Sequence, residues 1–66
     1  MLTNIEFYNL AAIEMFEIKA LSDISEKVWF KAQALCFEMC RYEYADYSNM
    51  SISDFVDMTF DLARIK

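Results

Sequence analysis

The 66 residues contain no glycine and no proline, and that absence narrows the available folds more than any motif does. Two-residue hairpin turns need positive φ, which glycine adopts cheaply. A β-rich fold of this length would be hard to connect without it. Glycine loops that cradle phosphates are excluded, and with them P-loop and dinucleotide-binding readings. The economical fold class is all-α: a small three-helix domain with a long central helix, dimerising into a helical bundle.

Three helices fit the chain, over about residues 5–21, 24–47 and 52–65, in one domain. Thr3 or Asn4 can cap the first. In the polar cluster "SDISE", Asp23 followed by Glu26 reads as a capping box opening the second helix, with Ser22 and Ser25 as alternative caps. "MSISDF" opens the third. There Ser51 caps, Asp54 reaches back, and Met50 and Phe55 form the ends of a hydrophobic staple. Arg64 and Lys66 suit the negative end of that helix.

Helical periodicity assigns faces. On the third helix Ile52, Phe55, Val56, Thr59, Leu62 and Ala63 share one side, and Asp54, Asp57 and Asp61 the other. On the first, Glu6, Glu14 and Glu17 take one flank. Ile5, Tyr8, Ala12, Met15 and Phe16 fill the opposite one, with Phe7, Ala11 and Ile18 beside them. The second helix has an inner stripe of Val28, Ala32, Leu35, Met39 and Tyr42, widened by Trp29, Cys36, Cys40 and Tyr47. Across from it runs a second apolar line, Phe30, Phe37 and Tyr44, spaced seven apart. Only Lys27, Lys31, Glu38 and Arg41 leave a polar strip. A helix apolar over most of its circumference is buried on most sides, and two short neighbours can hardly cover it.

That surplus matters in so small a domain. A chain of this size hides only about 60% of the surface exposed by its unfolded form. Disulfides, metals or oligomerisation are the usual remedies. With 58% apolar residues, two cysteines and no histidine, self-association is the expected one. Phe30, Phe37 and Tyr44, with Arg41 beside them, have the composition of a contact hot spot.

The chemistry expected of the chain is correspondingly limited. Cys36 and Cys40 at i, i+4 supply half of a closed zinc site. A two-fold dimer pooling both pairs is the structural-metal alternative, while a small buried hydrophobe is the simpler role for each cysteine. The carboxylates fall where amphipathic helices keep their solvated faces, and histidine, the usual near-neutral proton shuttle, is absent. The serines sit at helix starts. No catalytic, cofactor-binding or metal-ligating residues are therefore assigned, and the chain is read as a non-enzyme without cofactors.

A net charge of −5 disfavours direct contact with nucleic acid or anionic membranes, both of which attract clustered Lys and Arg. The first lysine is Lys19, and Glu6, Glu14 and Glu17 interrupt the early apolar run, so neither a signal peptide nor a membrane span is expected. Unpaired cysteines point to a reducing cytoplasm. The expected function is protein binding: an inhibitor, adaptor or regulator of a larger cytoplasmic protein with a basic surface. Glu6, Glu14, Glu17, Asp54, Asp57 and Asp61 would face that partner. In composition alone, with no shared motif, the chain is similar to small phage inhibitors of host defence or transcription. A nucleic-acid mimic is the alternative, although duplex DNA carries a charge every ~1.7 Å, a denser field than eleven acids offset by six bases.

Overall fold

The computed structural model describes residues 1–65, and these form an all-helical fold. α1 spans Asn4–Ala20, α2 Glu26–Tyr42, α3 Tyr44–Tyr47 and α4 Ile52–Ile65. α1, α2 and α4 each touch the other two, and α3 leans on α2. No positive φ occurs among the described residues, so every turn uses backbone that non-glycine residues adopt readily.

The long helices open on hydroxyl groups. Thr3 Oγ1 accepts from the Glu6 amide at 3.2 Å, and the Glu6 carboxylate accepts from the Thr3 amide at 2.8 Å, completing a capping box. Ser25 caps α2 by accepting from the Val28 amide at 3.2 Å. This replaces the expected Asp23 box and starts the helix at Glu26 rather than residue 24. Ser51 accepts from the Asp54 amide at 3.1 Å ahead of α4. Lys66, expected to complement the α4 dipole with Arg64, lies outside the described residues.

The core face of α1 differs from the expected one. Phe7, Ala11 and Met15 are buried, whereas Ile5 and Phe16 are exposed. The reason is that α1 must serve two neighbours, and the 7–11–15 line is the one that meets both. Small side chains allow close approach, and Ala11, Ala32 and Ala63 are all buried. Two aromatic groups fill the space beside them. Phe7 meets Phe55 edge-on at 5.0 Å and Tyr44 at 5.6 Å, and Tyr47 meets Phe55 at 5.6 Å. Elsewhere in the bundle, Trp29 lies between Phe16 at 5.2 Å and Phe60 at 6.3 Å. Such geometries stabilise aromatic pairs by about 0.5–1.5 kcal/mol beyond area burial. The one buried hydroxyl of the core, Thr59, donates to the Phe55 carbonyl at 2.8 Å, so it carries no unmet hydrogen bond.

The expected helix over 24–47 is broken at Glu43, whose φ of −130° and ψ of 24° leave the helical region. No glycine or proline causes this. Continuing the helix would carry Tyr44 out with Phe30 and Phe37. The break instead sends the Tyr44 hydroxyl to the Leu2 carbonyl and its ring to Phe7, and Tyr47 to Phe55. α2 is therefore no longer than α1, both having 17 residues, and the described residues form four helices. The α2 end is tied off by the Glu43 amide donating to the Met39 carbonyl at 3.0 Å and by Asn4 Nδ2 donating to the Cys40 carbonyl at 3.4 Å.

Phe55 is fully buried at the centre of this arrangement. Phe55→Ala should cost roughly 3–5 kcal/mol in chemical denaturation. Phe30→Ala, at an exposed position, should change the stability of the dilute chain by less than about 1 kcal/mol. Similar losses from both would contradict the core assignment.

Candidate functional site

α1 and α2 pack on each other through one side and leave a shared outer face. Along it α1 contributes Ile5, Tyr8, Ala12 and Phe16, and α2 contributes Gln33 and Phe37, with Phe30 two turns before Phe37 on the same side of α2. Phe30 is 66% exposed and Phe37 47%. Loose packing does not explain this. The radius of gyration is 11.0 Å, against about 10.8 Å for a compact chain of this length. The total exposed area of 4438 Å² also matches the roughly 4,400 Å² that its mass requires. The rings stand outside a well-closed core.

The face is indented. A cleft of about 270 Å³ is lined by Asn4, Ile5, Tyr8, Phe37, Cys40 and Arg41, and a smaller hollow of about 40 Å³ lies between Phe16, Trp29 and Gln33. Tyr8 meets the Phe37 ring edge-on at 6.0 Å, giving the larger cleft an aromatic wall. The Arg41 guanidinium lies 5.8 Å from the centre of Phe37 and 5.4 Å from that of Tyr42, within cation–π range of both. Toward the opposite end of α2, Lys19 pairs with Glu26 at 3.1 Å. Gln33 Oε1 is buried with no hydrogen-bond partner among the described residues. The cleft was not legible in the sequence, because it needs Tyr8 and Phe37 from different helices at one level.

Of the aromatic line, Phe30 and Phe37 remain together on this face, with Arg41 next to Phe37. Tyr44 does not: the break at Glu43 removes it from the line and half-buries it against Phe7. Tyr42, expected inside, is exposed, since the inner side of α2 is set by Trp29, Ala32, Cys36, Met39 and Cys40.

Both cysteines are buried, although Cys40 borders the larger cleft. Cys36 is 1% exposed and Cys40 3%, which leaves little of either thiol to meet a partner's. Hydrogen bonding to Cys40, then burial, push the Cys36 thiol far above its ordinary range, and the same bond lowers Cys40 against its own burial. Two thiolates at once are disfavoured. No group of three or more metal-ligating side chains occurs among the described residues.

Between α4 and α1, Ser53 Oγ donates to the Glu14 carboxylate at 3.3 Å. Asp61 pairs with Arg64 at 3.3 Å. Glu6, expected to face a partner, has its carboxylate in the Thr3 capping box. Glu17, Asp54 and Asp57 are exposed to solvent. Among the described residues no helix is long and apolar enough to cross a membrane. No family model, curated protein or solved structure matches the chain.

Accepting from the Thr3 amide, with help from the Thr3 side chain, holds the Glu6 carboxyl below its ordinary 4.5. A depressed folded value means that the cap's contribution is present above the unfolded value and is lost as pH falls through the folded one. The Thr3 amide shift in an NMR titration should therefore move with a midpoint below 4.5. A midpoint at or above it would contradict the capping box, and Glu6→Gln should abolish the titration.

Proposed function

We propose that the chain is a non-enzymatic protein-interaction module. It associates with itself through the α1–α2 face and offers its acidic α1–α4 side to a basic surface on a larger cytoplasmic protein, which it inhibits, adapts or regulates. The observation that carries this reading is the pair of exposed rings, Phe30 and Phe37, beside a cleft and an arginine that stacks on Phe37. Aromatic residues and arginine dominate the energetics of protein contacts, and a soluble domain seldom leaves such a patch uncovered. By compositional analogy alone, with no shared motif, the larger protein would belong to the defence or transcription machinery of a phage host.

A second reading draws on the exposed carboxylates Glu17, Asp54 and Asp57 of two helices that meet where Ser53 donates to Glu14. A nucleic-acid mimic would use that row to occupy a basic groove. Its binding would be displaced by DNA or RNA and would weaken steeply with salt. Failure of nucleic acid to compete at low salt would discard it.

Immobilised chain should retain a protein from lysate of the producing or host cell, and the double variant Asp54→Lys/Asp57→Lys should lose it. Phe37→Glu should abolish self-association, while Lys31→Glu, on the polar strip, should alter neither property. Equal retention by wild type and the aspartate variant would contradict the assignment of the acidic side. Equal effects of Phe37→Glu and Lys31→Glu would contradict that of the apolar one.

A further inference from the structure

The exposed flank of α2 has an internal symmetry. Glu26 and Arg41 are equidistant from a point between Gln33 and Ala34, and so are Phe30 and Phe37. At about 100° per residue the four lie within roughly 60° of arc, beside the cleft. All four are exposed.

Resting on the reading of the α1–α2 face as the surface of self-association, we propose its register. A second copy of this chain docks with its α2 antiparallel, about a two-fold axis passing between Gln33 and Ala34. In that register Glu26 lies level with Arg41 of the second copy, and Phe30 with its Phe37. Opposite charges meet at both ends of the contact. A parallel arrangement would set Glu26 beside Glu26 and Arg41 beside Arg41, and like charges so placed oppose association. Glu26 already pairs with Lys19, but its side chain is 71% exposed, which leaves room for a second cation.

The cleft supplies shape to match the charge. Phe37 forms part of its wall, so Phe30 of the second copy arrives at its mouth. Apolar cavities of about 150 Å³ admit benzene, and this one holds about 270 Å³. The two-fold relation fills both clefts with the same ring, as a self-complementary patch requires. Ala34, small and exposed, lets the two helices approach at the axis.

Two measurements on the purified chain, with no other protein present, test this. By sedimentation equilibrium, Arg41→Glu and Glu26→Arg should each weaken dimerisation at least about tenfold, since each sets like charges together at both ends. The double variant Glu26→Arg/Arg41→Glu should recover most of the loss. Because these changes also disturb helix ends, circular dichroism must show an unchanged fold. Independently, Ala34→Cys should cross-link two copies on mild oxidation, and Glu38→Cys, on the polar strip, should not. Monomeric wild type at roughly 100 µM, failure of the double variant to recover, or equal cross-linking at both positions would overturn the register. Loss of lysate binding with the dimer intact would instead overturn the acidic-side part of the proposed function alone, and a dimer that forms in another register would overturn this inference alone.

Discussion

The contact between Phe7 and Phe55, edge to face at 5.0 Å, organises the rest of the molecule. It ties α1 to α4 and creates a buried aromatic seat that Tyr44 and Tyr47 complete. Filling that seat outweighs the continuation of α2, which ends without any residue that forbids a helix. The cost is a few backbone hydrogen bonds, each contributing about 0.5–1.5 kcal/mol net. Two partly buried aromatic rings and a hydroxyl bonded to the Leu2 carbonyl offset it.

The same allocation explains why one side of α2 stays uncovered. α1 and α4 are both committed to the inner side, where Trp29, Cys36 and Met39 lie. α3 is short and occupied at the Phe7–Phe55 end. Nothing remains in the described residues to cover Phe30 or the outer edge of Phe37. The exposed rings follow from how few elements the chain has, and the packing density of its core is a separate matter. Arg41 is kept at the apolar face, over the Phe37 ring.

Much of this was readable before the structure. The absence of glycine and proline implied helices, the hydroxyl caps at Thr3 and Ser51 marked two starts, and the α4 faces followed from period alone. The second helix start is ambiguous in sequence because Ser22, Asp23 and Ser25 all satisfy the capping pattern, and Ser25 is the one that accepts from the Val28 amide. The break at Glu43 was invisible, since it answers a demand from Phe7 and Phe55, far away in sequence. For the same reason spacing alone groups Tyr44 with Phe30 and Phe37 although tertiary contacts remove it. The faces of α1 were misjudged because a helix serving two neighbours buries a line between them. The cleft, which joins Tyr8 to Phe37, has no signature in either helix alone.

The central claim is that the uncovered side of α2 meets its own copy in reverse. Phe30 and Phe37 sit seven residues apart on one helix, roughly 10 Å along its axis, too far for a direct through-space signal within a single chain. An isotope-filtered NOE experiment on a mixture of labelled and unlabelled chains reads the contact between copies directly. The account predicts cross-peaks between the Phe30 ring of one copy and the Phe37 ring of the other. Their absence in a sample shown to be dimeric, or Phe30–Phe30 cross-peaks in their place, would contradict it.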